Sequence, residues 1–334
     1  MIVTLAALFG AALASWLLTG LVRRYALRSA LLDVPNERSL HRAPTPRGGG
    51  LAIAVVTLGG LAIAALFSSI PSRVAWALGV GGALVAVVGW LDDRRGVRAR
   101  TRAVVHAAAA CWAAYWIWGE LTLGTVAGVV CIVWAINLYN FMDGIDGLAG
   151  AEAASVGIIA GVLLMMGGRN DLGLVAFIVA AAATGFLGWN WPPARIFMGD
   201  VGSGFLGFIF GALALFAGRS GALPLALALM LAGVFALDAT VTLLRRMARG
   251  EHWYQAHRSH AYQRLVQAGA RHAQVTTGVL AVNLVLGALA WLAQSGRIPM
   301  QAAVLAGIVV LTVLYLAIER RRPMFPGVPG PTLP

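Results

Sequence analysis

Charged residues are scarce in this chain, and lysine is absent. Only 11% of the 334 residues are charged and 60% are hydrophobic, with a mean hydropathy of +0.81, whereas soluble domains carry about 25% charged residues. This excludes an ordinary soluble domain. Because the longest polar stretch runs only from 245 to 274, no separate soluble domain is expected either. The composition predicts an all-α, polytopic integral membrane protein that forms one helical bundle.

Cysteine is almost absent as well. Cys111 and Cys131 both lie inside apolar segments, so no disulfide framework is expected. The net charge of +12 comes from 25 arginines alone. In a soluble protein this excess would suggest nucleic acid. In a membrane protein it favours loops that face anionic lipid headgroups and an anionic substrate, because guanidinium groups pair well with phosphate. Membrane lipids, and no nucleic acid, are therefore the expected partners.

Long hydrophobic runs are abundant, and eleven could span a bilayer of about 30 Å. One side of these spans carries 21 arginines and the other carries four, so the positive-inside rule predicts an external N-terminus and a cytoplasmic C-terminus. We expect one transmembrane domain over 1–322, cytoplasmic loops near 23–50, 92–102, 140–150, 189–203 and 244–273, and a Pro-rich tail over 323–334. The predicted spans lie near 2–22, 48–68, 73–91, 103–119, 121–139, 150–167, 171–189, 203–218, 221–243, 274–294 and 299–318.

Two amides and two carboxylates lie at the end of the fifth span and directly after it. Asn137, Asn140, Asp143 and Asp146 recur every three residues, which would place them on one side of a helix wherever the backbone is helical. Their oxygen atoms are ligands that Mg²⁺ prefers. An ordinary polar turn is the competing interpretation, because Asn and Asp are common in turns.

Adjacent carboxylates follow the third span. Asp92 and Asp93 repel each other near a membrane, so cations must neutralise them. Arg94 and Arg95 could do so structurally, and a divalent metal with a phosphate acceptor is the functional alternative. Asp238, within the ninth span, is either a helix-packing partner or part of a cavity wall.

A glycine run opens the second span. Gly48, Gly49 and Gly50 follow Arg47, and a run of this kind at the start of a helix can present N–H groups to an anion. A flexible loop is the alternative.

The two remaining cytoplasmic loops also contain suggestive residues. Asp200 stands just before a helix and is either its N-cap or a carboxylate placed for a ligand. Phe197 is either an interfacial aromatic or a ring that stacks on a base. His257, Arg258 and His260 are donors suited to a pyrophosphate or to sugar hydroxyls, although a basic loop that binds lipid headgroups would look similar.

Five ordered motifs closely resemble the polyprenyl-phosphate N-acetylhexosamine-1-phosphate transferase family. They are DVPNERSLHRAPTPRGGG, GWLDDR, NLYNFMDGIDGLAG, NWPPARIFMGDVGS, and DATVTLLRR followed by HRSHAYQRL. The resemblance implies transfer of a sugar 1-phosphate from a UDP-N-acetylhexosamine to undecaprenyl phosphate, with release of UMP. It implies Mg²⁺, with Mn²⁺ as the alternative, and an active site on the cytoplasmic face of a bacterial inner membrane. Relatives are commonly dimeric, so the resemblance also allows a homodimer.

The resemblance further assigns roles residue by residue. One member of the acidic pair would deprotonate the lipid phosphate, Phe197 would stack on uracil, and the loop at 257–260 would recognise pyrophosphate and sugar. A covalent aspartyl intermediate stays open. The implied catalytic residues are Asp92, Asp93, Asp143, His257 and His260, the implied metal ligands are Asn140 and Asp200, and the implied substrate-binding residues are Asp146, Asn190, Phe197, Arg258, Arg47 and Asn137.

The last loop departs from one branch of the family. Peptidoglycan enzymes, the phospho-N-acetylmuramoyl-pentapeptide transferases, carry three consecutive histidines where this chain has His-Arg-Ser-His. The pattern is more similar to that of O-antigen initiators that use N-acetylglucosamine or a 6-deoxy sugar such as N-acetylfucosamine. A transporter of polyprenyl-linked solutes is the alternative from another class. It is disfavoured because the ionisable residues lie at one surface and no internal repeat is evident.

Overall fold

The computed structural model describes residues 2–35, 40, 43–251 and 257–325. Parts of the predicted first and last cytoplasmic loops, and most of the predicted tail, lie outside these residues. The described chain forms two short strands and thirteen helices. They are α1 (Ile2–Arg28), β1 (Leu32–Asp33), β2 (Thr45–Pro46), α2 (Gly50–Leu66), α3 (Ser72–Arg95), α4 (Ala99–Trp118), α5 (Leu123–Phe141), α6 (Leu148–Met166), α7 (Asn170–Asn190), α8 (Asp200–Ser220), α9 (Leu225–Leu231), α10 (Gly233–Ala248), α11 (Ala261–Gln267), α12 (His272–Gln294) and α13 (Met300–Arg321).

All eleven predicted apolar runs are helical, which confirms an all-α polytopic membrane protein. The ninth run differs from the prediction, because it is broken at Ala232 into α9 and α10, which are bent by 82°. Among the described residues, eight helices are long and apolar enough to span a membrane, or nine if the bent pair is one span. Helix α2 has only 17 residues, and α4 is outside this set. Eleven crossings and their orientation therefore stay predictions.

Helix α8 lies at the centre of the bundle, and glycines bring its neighbours close to its first turns. An added Cβ on Gly50 of α2 would overlap with the Cα of Gly202 in α8. An added Cβ on Gly89 of α3 would lie 2.6 Å from the carbonyl oxygen of Asp200. Because these glycines lack side chains, the ends of α2 and α3 converge on the start of α8. We call this end of the bundle the site face.

The segment before α8 docks on the start of α2. Strands β1 and β2 pair antiparallel, and the carbonyl of Pro46 accepts the N–H of Phe197 at 2.8 Å. The N–H groups of Gly49 and Gly50 then donate to the carbonyls of Phe197 and Met198, both at 2.9 Å. The predicted anion cradle is therefore wrong for these two glycines, because their donors are already used in the fold.

Candidate active site

The carboxylates of Asp92 and Asp200 meet on one side chain, that of Arg102. Asp92 lies near the end of α3, Asp200 begins α8, and Arg102 lies in the first turn of α4. Nη1 of Arg102 is 2.5 Å from Oδ2 of Asp92 and 2.7 Å from Oδ2 of Asp200. The three side chains keep 14% to 33% of their surface exposed, so a ligand can reach this shared cationic position.

Asp93 faces in another direction and supports α8. The residue is buried, with 3% exposed, and its carboxylate accepts the N–H groups of Asp200 at 3.0 Å and Val201 at 3.1 Å. It thereby satisfies donors that the first turn of a helix leaves unpaired. Arg47 donates from Nη2 to the carbonyl of Asp93. Arg94, which the structural alternative would pair with these carboxylates, lies over aromatic rings of α1 and α3.

Asn140 adds an amide to the two carboxylates from the end of α5. Its Nδ2 donates to Oδ1 of Asp200 at 3.0 Å and to Oγ of Ser203 at 3.1 Å. Asn137, one turn earlier, donates to the carbonyl of Val133 in its own helix at 2.8 Å. Of these two amides, only that of Asn140 is directed at Asp200.

Two carboxylates and one side-chain amide therefore meet at this point. The side chains of Asp92, Asp200 and Asn140 are of the types that bind Mg²⁺, which usually keeps several waters and takes its remaining oxygens from substrate phosphates. Within the described ranges, no three His, Cys, Asp or Glu side chains form a ready metal-binding group. Two carboxylates and one amide nevertheless fit Mg²⁺ coordinated in this way.

The predicted helical ladder stops after its second member, because α5 ends at Phe141. Asp143 lies in the following turn. Burial, and then the nearby carboxylates of Asp200 and Asp93, raise the pKa of Asp143 well above its ordinary value. This crowding of acidic groups favours a cationic ligand beside the turn.

The side chains of Asp146 and Asn190 connect the turn after α5 to the loop after α7. Oδ2 of Asp146 accepts the N–H of Ala194 at 3.1 Å and lies 3.3 Å from Nδ1 of His272. Oδ1 of Asn190 accepts the N–H of Gly147 at 3.0 Å. Both side chains therefore shape the wall of the site through contacts with the backbone.

The last polar loop is built on Asp238 of α10. Its carboxylate accepts the N–H groups of Ala261 at 2.8 Å and Tyr262 at 3.1 Å, and Nδ1 of His260 lies 3.4 Å from Oδ1. Asp238 thus caps α11, which explains a carboxylate buried within an apolar run. The hydroxyl of Tyr262 donates to the carbonyl of Phe141 at 3.1 Å, so the loop is held against the end of α5.

His257 and Arg258 begin the described part of this loop. The ring centroid of His257 is 4.8 Å from that of His260. Burial, then His260 and the guanidinium of Arg246, lower the pKa of His257 to about 3. The His257 ring is therefore neutral near pH 7, whereas Arg258 is exposed and charged.

Comparisons of the sequence with known proteins identify relatives of this chain. Residues 75–218 match the sequence model of glycosyl transferase family 4. A probable undecaprenyl-phosphate N-acetylglucosaminyl 1-phosphate transferase of Bacillus subtilis is 28% identical over 77% of this chain and 75% of its own length. A decaprenyl-phosphate N-acetylglucosaminephosphotransferase of Mycolicibacterium smegmatis is 29% identical over 94% and 88%, respectively. The undecaprenyl-phosphate alpha-N-acetylglucosaminyl 1-phosphate transferase of Yersinia pestis is 30% identical over 88% and 84%. The chain belongs to the polyprenyl-phosphate N-acetylhexosamine-1-phosphate transferase family.

The match to the family model covers Asp92, Asn140 and Asp200, which we call the acidic cluster, but not the whole candidate site. It extends from α3 to α8 and so includes Asp92, Asn140 and Asp200. Arg47 and the loop at 257–260 lie outside it, and their placement rests on the contacts described above.

Three site residues were missed by the sequence analysis. Arg102 bridges the carboxylates, Ser203 contacts Asn140, and His272 contacts Asp146. Arg102 was visible only as one arginine among many on its side of the membrane. Ser203 ends the motif NWPPARIFMGDVGS but was given no role, and no pattern marked His272. The contacts of both residues join segments that are distant in sequence.

An apolar cavity of about 370 Å³ lies between five helices of the bundle. Its walls come from α5, α6, α8, α9 and α10, and they include Tyr139, the residue before Asn140. Leu229, at the rim, is 56% exposed, so the cavity opens sideways from the bundle.

Proposed function

We propose that this protein transfers an N-acetylhexosamine 1-phosphate from a UDP-sugar to undecaprenyl phosphate and releases UMP. The observation that carries the proposal is the meeting of Asp92 and Asp200 on Arg102, with Asn140 beside them. N-acetylglucosamine is the preferred sugar, since the names of the three compared relatives specify it. N-acetylfucosamine is the second choice.

In the proposed reaction, an oxygen of the lipid phosphate attacks the β-phosphorus of the UDP-sugar. A new phosphorus–oxygen bond forms, the bond to the bridging oxygen breaks, and UMP leaves with the electron pair. Asp92 is the better placed member of the acidic pair to accept a proton from the lipid phosphate, because its side chain is partly exposed beside Arg102, whereas Asp93 is buried beneath the first turn of α8. Asp200 and Asn140 would hold Mg²⁺, which when bound supplies charge neutralisation for the diphosphate.

The surrounding residues would bind the donor. Asp143 and Asp146 line the turn after α5, Asn190 braces it, and Phe197 lies in the loop that precedes α8. Asn137 and Arg47 would support this wall, since each already makes a backbone contact at the site face. His257, Arg258 and His260 would contribute donors for the diphosphate and the sugar.

The proposal extends to the cellular setting. The arginine asymmetry supports a site face that is cytoplasmic, where UDP-sugars are made. A bacterial inner-membrane enzyme of this kind would begin a lipid-linked O-antigen or another cell-envelope polysaccharide.

The experiment that tests this proposal measures UMP release by the purified protein, with and without undecaprenyl phosphate and Mg²⁺. The donors are UDP-N-acetylglucosamine, UDP-N-acetylfucosamine and UDP-N-acetylmuramoyl-pentapeptide. We expect release that requires both lipid and metal and is fastest with UDP-N-acetylglucosamine. Absence of release with every donor, from protein shown to be folded, would contradict the proposal.

A further inference from the structure

Glu319, in the last turn of α13, joins three parts of the site face. Its carboxylate pairs with both terminal nitrogens of Arg245 in α10, at 2.7 and 2.9 Å. It also accepts Nη1 of Arg264 in α11 at 2.7 Å and the N–H of Met324 at 3.2 Å. One carboxylate thus serves two guanidinium groups and fixes the segment that follows α13.

Arg264 depends on this carboxylate more than Arg245 does. Its side chain is 2% exposed, against 33% for Arg245. Nη1 of Arg264 also donates to the carbonyl of Arg322 at 2.8 Å, but Nε and Nη2 are buried without a hydrogen-bond partner. In the part of the chain that the structure describes, Glu319 is the one carboxylate paired with Arg264. Removal of one partner from a buried ion pair leaves an uncompensated charge and is strongly destabilising.

Helix α11 connects Arg264 to the candidate site. His260 directly precedes the helix, and Tyr262, in its first turn, donates to the carbonyl of Phe141. Asp238 holds the first turn of α11, and Glu319 holds Arg264 one turn later. Release of Arg264 would therefore shift α11 and, with it, the loop at 257–260.

We propose that Glu319 is a positioning residue, which holds α11 through Arg264 so that the loop at 257–260 faces the UDP-sugar. The inference rests on the proposed function for the identity of that ligand. The contacts that fix α11 do not depend on the proposed function.

The first test compares Glu319→Gln with Asp171→Asn. Asp171 forms a similar two-bond pair with Arg169, at 2.8 and 2.6 Å, at the opposite end of the bundle. For Glu319→Gln we expect the KM for UDP-N-acetylglucosamine to rise about tenfold, with kcat and the KM for the lipid changing by less than about threefold. Glu319→Asp should recover most of the donor affinity. A donor KM that stays at the wild-type value in Glu319→Gln would overturn the proposal.

The second test measures amide hydrogen exchange of α11. Glu319→Gln should accelerate exchange over 261–267, whereas Asp171→Asn should leave it unchanged. The double variant Glu319→Gln/Arg264→Met also lacks the contact that holds α11, so its exchange should stay as fast as in Glu319→Gln. Unchanged exchange in the single variant, or slow exchange restored in the double variant, would refute the role of Glu319. If the wild-type protein released no UMP, the proposed function would fail while this test still decided what holds α11.

Discussion

Asp92 and Asp93 are neighbours in the chain, but their carboxylates have different partners. Asp92 faces Arg102 and receives the N–H of Val97 on its other oxygen, whereas Asp93 is buried and caps α8. The geometry therefore separates a chemical role for Asp92 from a supporting role for Asp93.

This separation can be tested with two matched substitutions. Asp93→Asn leaves one buried N–H of α8 without an acceptor, which should lower the free energy of unfolding by about 1–3 kcal/mol. Asp92→Asn keeps an oxygen for Val97 and loses only a partly exposed ion pair, so stability should change by less than about 1 kcal/mol while turnover is lost. Thermal unfolding and UMP release would be measured on both variants. Equal destabilisation by the two substitutions would contradict the assignment.

Asp143 provides a pH-dependent prediction. Burial and neighbouring carboxylates raise its pKa in the folded protein, while in the unfolded chain it ionises near its ordinary value of about 3.9. Between these two pKa values, Asp143 is protonated in the folded state and ionised in the unfolded chain. Its contribution to the free energy of unfolding therefore falls as pH rises. Asp143→Asn should therefore reduce the fall in unfolding temperature between about pH 5 and about pH 8. Identical pH slopes in the wild type and the variant would refute this account.

At the scale of the elements, glycine contacts bring α2 and α3 to the start of α8. Gly50→Ala should destabilise the protein by about 1–3 kcal/mol, because the new methyl group meets the backbone of α8 at Gly202. Gly59 provides the control in the same helix, since an added Cβ there meets nothing within 4 Å. Thermal unfolding should separate Gly50→Ala from Gly59→Ala. Equal unfolding temperatures for the two variants would rule out this explanation of the packing.

The helices could be predicted from the sequence because long apolar segments must satisfy their own backbone hydrogen bonds in a membrane. The bend at Ala232 could not, since neither a proline nor a charged residue stands near the break, where the sequence over 229–234 reads LMLAGV. The fixed spacing of Asn137, Asn140, Asp143 and Asp146 suggested a helix, but α5 ends before the carboxylates. The contact of Asp146 with His272 spans more than a hundred residues, and no local pattern encodes such a contact.

At the scale of the whole molecule, the account requires one orientation in the membrane. The turn at Gly250 follows α10, and the turn at Gly296 follows α12. A fluorescent-protein fusion at Gly250 should be active in the cytoplasm, and an alkaline-phosphatase fusion at Gly296 should be active outside it. The reverse pattern would place the site face away from cytoplasmic UDP-sugars and contradict the proposed function.

The most direct measurement follows the lipid product itself. Wild type, Asp200→Asn and the control Asp171→Asn would be incubated with undecaprenyl phosphate, Mg²⁺ and UDP-N-acetylglucosamine labelled at the β-phosphate. We predict labelled lipid diphosphate-linked sugar with the wild type and the control, and a rate lower by about 100-fold or more with folded Asp200→Asn. Product formation by Asp200→Asn at the wild-type rate would contradict the central claim that the meeting point of Asp92, Asn140 and Asp200 is the reaction centre.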